Sequence, residues 1–289
     1  MLDCIRCAIW AQVKLVNGET LVSPFVLLSF CAILPLHLLM DSKYVVVTGA
    51  NKGIGLEIVR WLASEGNITV ILTARDVKKG ESAAASLVES GLTNVVFQRL
   101  DVLDMASIEA LTRFIEARFG RLDILVNIAG ASGVTVDEEG LKALKVDPET
   151  WRIPSETTRN ELSDIDTPNE EKHVPSYRDF LQDLKCGVLE MGGWLKMLHS
   201  CSVSKATLNA YTRVLAQKYP GMRINYVHPG FVDSDLNWHT GTMTPEKGVE
   251  GPVSVALLLD GVPTGCYFDR TNVGEFCCFG FYLWGCCLM

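Results

Sequence analysis

Three glycines within seven positions, Gly49, Gly53 and Gly55, stand directly after an apolar run, Tyr44-Val45-Val46-Val47, that ends in Thr48. Glycine lets the backbone approach an anion closely. A helix that starts at such a turn adds unpaired N–H donors and the positive end of its dipole. The chemistry these residues offer is therefore the holding of a pyrophosphate. Two cations accompany them, Lys52 inside the turn and Arg75 further on. Arg75 falls about 20 residues past Gly55, where an NAD-binding unit usually carries an acid for the ribose hydroxyl and an arginine suits a 2′-phosphate. Glycine clusters also serve turns that bind nothing, and both cations could be solvated surface charges. Taken together, with no acid at the end of the second strand, they favour NADP(H) over NAD(H).

The elements that must position these residues alternate regularly. The β-branched run at 44–47 reads as a strand buried on both faces, and an amphipathic helix over 56–64 follows it. Strands are expected at 68–73, 95–100 and 123–127, with helices at 78–89 and 105–119 between them. In the last helix Ile108, Leu111 and Ile115 recur at helical spacing. Strands alternating with helices of this length predict an α/β fold, a Rossmann-like doubly wound parallel sheet. Right-handed crossovers put every strand end, and so every motif, on one edge. Beyond the middle of the chain, a helix is expected over 204–218, a strand over 223–228 and a last strand over 261–269.

TGANKGIG, Arg75, Leu100-Asp101-Val102, Asn127-Ile128-Ala129-Gly130, Ser204-Lys205, Asn209-Ala210-Tyr211 and His228-Pro229-Gly230 occur together and in order. On these motifs residues 43–276 resemble the short-chain dehydrogenase/reductase family, and within it the plant branch of salutaridine reductase and menthone-type reductases. The resemblance implies that Gly49, Asn51, Lys52, Gly53, Ile54 and Gly55 hold the phosphates and Arg75 the 2′-phosphate. It also implies that Asp101 and Val102 meet the adenine and that Asn127 sits beside the adenine ribose. Pro229 and Gly230 would lie against the nicotinamide, and Lys205 would hold its ribose. Asn127-Ile128 departs mildly from the family's usual Asn-Asn. His228 reads as a packing residue rather than a catalyst. The aromatics Phe231 and Trp238 in a lid over 231–244 suit a bulky apolar substrate.

Two departures bear on catalysis. In this family a tyrosine four residues before the lysine donates the proton, and here that position is Cys201. Its sulfur lies much nearer the backbone than a phenolic oxygen does. A free thiol has a pKa of about 8.5, and Lys205 would push it toward a thiolate with no proton to give. Ser202 and Tyr177 are the other hydroxyls to consider. The second departure is at 137–176, a polar stretch with Pro148, Pro154, Pro168 and Pro175, where the family has a helix, a fifth strand and a carbonyl-polarising serine. A block missing at Trp151–Arg152 is expected in preference to a natural loop that replaces it, because a structureless segment of this length is improbable inside a compact domain. The sheet is then expected to lack a helix and a strand in its second half. The strand ending at Asn127 would have an open edge or pair directly with 223–228. Residues 188–198 or the proline-rich segment would form irregular cover.

The ends read apart from this domain. Residues 1–42 are an apolar leader, and 21–40 is long enough to span a bilayer, though Pro24, Pro35 and His37 interrupt it and its charge flanks are sparse. A non-native leader is favoured over a membrane anchor. Residues 277–289 form a Cys-rich apolar tail whose last four residues match a prenylation box. The ten cysteines do not pair into a framework, and Cys4-x-x-Cys7 has no second ligand pair, so reduced cytoplasmic thiols and no metal are expected. A net charge of −8 argues against a nucleic-acid surface. The expected protein is thus a monomeric NADP(H)-dependent oxidoreductase that interconverts a ketone and a secondary alcohol on a terpenoid- or alkaloid-like small molecule, with impaired activity. The competing readings are a catalytically dead nucleotide-binding relative and a truncated isoform or faulty gene model.

Overall fold

The computed structural model describes residues 42–130, 182–183, 185–186, 199–258, 263–274 and 286–288. The Trp151–Arg152 junction, Tyr177, the proline-rich segment, residues 188–198 and the apolar stretch at 21–40 lie outside them. Among the described residues no helix is long and apolar enough to cross a membrane.

The first half follows the alternation of the sequence. Strand β1 is Lys43–Val47, α1 Gly53–Ser64, β2 Ile68–Ala74, α2 Val77–Glu89, β3 Val95–Arg99, α3 Met105–Phe119 and β4 Ile124–Asn127. Successive side chains of a strand face opposite sides, and here both sides are covered. Val45 and Val47 pack with Ile58, Val59 and Leu62 of α1 and Leu87 of α2. Val46, between them, packs with Ile108, Leu111 and Ile115 of α3 on the other face. All of these are fully buried. At roughly 1.5–3 kcal/mol for each such side chain, the two cores decide the fold over any local propensity. Asp76 caps α2 by accepting from the Lys79 N–H, and Asp104 caps α3 by accepting from the Ala106 N–H. Gly120 closes α3 in the left-handed conformation.

The second half contains α4 His199–Lys218, β5 Asn225–His228, the short helices α5 Pro245–Gly248 and α6 Glu250–Ala256, then β6 Tyr267–Asp269, β7 Asn272–Gly274 and β8 Cys286–Leu288. The strand expected at 261–269 is shorter, and it turns back into β7 through Arg270, whose φ is 56°. The sheet order is β3-β2-β1-β4-β8-β5-β6-β7. Its β1, β2, β3 and β4 are mutually parallel, and β5 runs parallel to β6.

One expectation is overturned here. The strand ending at Asn127 neither has an open edge nor pairs with the next strand directly. Strand β8, from the tail set apart above, lies between them and is antiparallel to both. Leu288 stands opposite Val126 and Asn225, and Cys287 opposite Asn127 and Tyr226. The reason is the requirement that buried backbone donors and acceptors be paired: Val126, Asn127, Asn225, Tyr226 and Val227 are all buried, so the two facing strand edges need a partner. The same residues cannot both form this ladder and remain free for prenylation.

Candidate functional site

The parallel strands end on one edge, and the sequence-derived residues collect there. Gly49, Asn51, Lys52, Gly53, Ile54 and Gly55 form the turn from β1 into α1, Arg75 follows β2, Asp101 and Val102 follow β3, and Asn127 ends β4. Pro229 and Gly230 follow β5 on the same edge, because β8 is antiparallel to both β4 and β5.

The turn is shaped by its glycines. Gly49 has φ +63°, and a Cβ there would lie 2.8 Å from the Cα of Ala129. Gly53 has φ +57° with nothing within 4 Å of a would-be Cβ, which leaves open space in front of the helix. Lys52 is the N-cap of α1, no side chain caps it, and no acid stands in its first turn. The first N–H groups of α1 are thus available to an anion. Asn127 adds a second sign of a ligand: its side-chain oxygen is buried with no hydrogen-bond partner among the described residues. A ribose hydroxyl is a suitable donor for it. Both features fit a dinucleotide.

Thr48 does work that sequence reading missed. Its hydroxyl accepts from the N–H of Ile128 and of Ala129, each at 3.0 Å, and so ties the turn after β4 to the glycine turn. Its own N–H donates to Val126 and the Ala50 N–H to Thr73. A hydroxyl directly after a buried strand was the available signal. Asp101 spends one carboxylate oxygen on its own turn, accepting from the Leu103 N–H at 3.1 Å, and its N–H donates to Ser107. Arg75 is exposed and has no ion pair among the described residues.

Because Gly49 is both left-handed and in close approach to Ala129, Gly49→Val should unfold the turn rather than merely weaken it. Strain of this kind costs about 1–3 kcal/mol, and the steric contact adds to it. Thermal melting should show a fall of several degrees together with lost nucleotide binding; an unchanged melting temperature would contradict the close approach.

Lys205 is half-buried on α4, four residues and about one helical turn after Cys201. The helix is longer than expected and begins at His199, so both positions share one face of one continuous helix. It is held by Leu208, which packs with Tyr226 and Tyr267, and by Leu215 and Ala216, which pack with Ile224. His228 is buried, and burial foremost, with Arg270 second, lowers its pKa to about 3. It is neutral near pH 7, as a packing residue would be. Residues 231–244, where a lid is expected, fold back on themselves: the N–H groups of Thr242 and Met243 donate to Phe231, and that of Asp233 to Met243. Met243 lies over Gly230.

Residues 43–152 match the short chain dehydrogenase family. A (+)-neomenthol dehydrogenase of Arabidopsis thaliana is 38% identical, over 81% of this chain and 98% of that protein. A carbonyl reductase of Homo sapiens named for NADPH is 32% identical, over 74% of this chain and 90% of that one. Among solved structures, salutaridine reductase from Papaver somniferum superposes with a TM-score of 0.72 at 33% identity, covering 78% of this chain and 99% of that one. Glycine turn, parallel sheet and these likenesses agree: the chain belongs to the short-chain dehydrogenase/reductase family.

Proposed function

We propose that this chain binds NADP(H) along the strand-end edge and derives from reductases that interconvert a ketone and a secondary alcohol on a bulky, apolar terpenoid- or alkaloid-like molecule. The observation that carries the reading is the uncapped glycine turn, with Lys52 in it and Arg75 exposed at the end of β2. The relatives support the class, being a neomenthol dehydrogenase, a salutaridine reductase and an NADPH carbonyl reductase. A cytoplasmic monomer is the setting this reading assumes.

The glycine turn and Ile54 would take the pyrophosphate, Arg75 and Lys52 the 2′-phosphate, Asp101 and Val102 the adenine, and Asn127 its ribose. Lys205 would take the nicotinamide ribose, with Pro229 and Gly230 against the ring. When bound, NADPH supplies a hydride for a carbonyl carbon. The chain's own remaining task is to give the carbonyl oxygen a proton. Cys201 stands where the family has its tyrosine and is poorly suited to that task, so turnover is impaired.

A second reading, a nucleotide-binding relative that catalyses nothing, is favoured by a difference in length. The alignment with the Arabidopsis protein runs over 291 residues, yet only 81% of this 289-residue chain takes part. Several dozen positions of the relative therefore face gaps here, which supports a missing block, and the sequence pattern suggests its place near 151–152.

Titration of the protein with each cofactor tests the phosphate assignment. Arg75→Ala should weaken NADPH binding about tenfold or more, since hydrogen bonds to charged groups contribute ~1.5–3 kcal/mol, and leave NADH little changed. Equal loss for both cofactors would refute the role of Arg75.

A further inference from the structure

Lys52, on the glycine turn, donates to the carboxylate of Asp235, a residue 183 positions later in the lid segment. Asp235 begins a short 3-10 turn, Asp235–Asn237, that is fixed by a capping box between Ser234 and Asn237. Its second oxygen faces the Nε2 of His239 at 3.3 Å, and the Nδ1 of that ring lies 2.6 Å from Asp233. A chain of polar contacts thus runs from the glycine turn into residues 233–239. Lys52 and Asp235 keep 64% and 57% of their side chains exposed, so an incoming anion can reach the pair from solvent. Arg75, the other cation proposed for the site, has no such carboxylate among the described residues.

We propose that Asp235 sets cofactor selectivity by competing with the 2′-phosphate of NADP(H) for Lys52. The inference rests on Lys52 facing that phosphate, as the proposed function has it. An ammonium group has three donors but a single charge. A carboxylate held on it repels a dianionic phosphate, so NADP(H) must displace Asp235. NAD(H) has no 2′-phosphate and leaves the pair intact. Asp235 therefore weakens NADP(H) alone, and NADP(H) binding frees the lid segment from the glycine turn. The hydrogen bond from Lys52, foremost among the causes, holds the Asp235 carboxyl below its ordinary pKa, so the competitor is charged at neutral pH.

Calorimetric titration with NADPH and with NADH separates the possibilities. An exposed ion pair is typically worth 0.2–1 kcal/mol, so Asp235→Asn should tighten NADPH binding about 1.4- to fivefold and leave NADH unchanged. Asp235→Glu, which keeps the charge, should stay near the wild-type value. Lys52→Ala should weaken NADPH, and Asp235→Asn added to it should change nothing more, because the two residues act through one contact. If Lys52→Ala weakens NADPH but Asp235→Asn does not tighten it, the competition is wrong while the phosphate role of Lys52 stands. If Lys52→Ala leaves NADPH unchanged, that role fails and the competition with it. Equal tightening of NADH and NADPH would also overturn selectivity by Asp235.

Discussion

Protein saturated with NADPH should reduce a panel of cyclic ketones at a rate well below the ordinary enzyme range, and Cys201→Tyr should not restore it. Two losses motivate this result. Loss of a positioned general acid alone removes typically 10²–10⁴-fold. The hydrogen bond that polarises the carbonyl is an electrostatic contribution of its own, and the sequence offers no serine in a strand context to make it. The two need not multiply, because such groups act as a unit. Positions 201 and 205 share one face of α4, so a tyrosine at 201 would stand in the family's relation to Lys205. With the proposed block missing at Trp151–Arg152, it would still lack the strand that carries the polarising serine. NADPH binding should survive in both forms, since the glycine turn and Asn127, proposed to hold it, belong to the first half of the sheet. Wild-type turnover at ordinary rates would refute the impairment and direct attention to Ser202 and Tyr177. Activity in Cys201→Tyr alone would leave the proton donor as the sole lesion.

The sequence disclosed the first half well because one physical rule governs it. Val45, Val46 and Val47 can be continuously apolar only in a strand covered on both faces, and Ile108, Leu111 and Ile115 can line one face only in a helix. The helix over 105–119 has the expected bounds, and the other elements of that half differ by a few residues at their ends. Strand β8 was not legible, because a three-residue strand has no period to read and its partners lie far away in sequence. Strand β7 is as short, so it shows no period either, although its partner β6 is adjacent in sequence and lies within the strand expected at 261–269. In the site, glycines and cations announced themselves by type and spacing. Asp235 could not, since nothing in a local window tells a lid carboxylate that it will meet Lys52. Thr48 was half visible: the Thr-Gly pair after the strand was noted, but its bonds to Ile128 and Ala129 depend on strand order.

Removal of residues 286–289 should destabilise the whole domain, although no residue of the candidate nucleotide site is lost. Strand β8 serves β4 and β5 at once, and both present buried backbone to it. Without it, the facing edges stand two strand spacings apart, about 9–10 Å, too far to bond. Two or three orphaned groups at ~1–3 kcal/mol each suggest a loss of about 3 kcal/mol. At roughly 2–4 °C per kcal/mol for a domain of this size, melting should fall by about 10 °C. Nucleotide affinity should fall with it, because Asn127, at the end of β4, pairs with Cys287. Cys287→Pro tests the same contact without truncation: proline removes an N–H from a strand flanked on both sides. Cys287→Ala keeps that N–H and should melt well above the proline variant. The sheet can respond in one other way. Strands β4 and β5 both run antiparallel to β8 and are therefore parallel to each other, so with β8 gone they could close up and pair. The truncated protein would then melt near the wild-type temperature, and the ladder through Cys286–Leu288 would not be what holds the two halves of the sheet together.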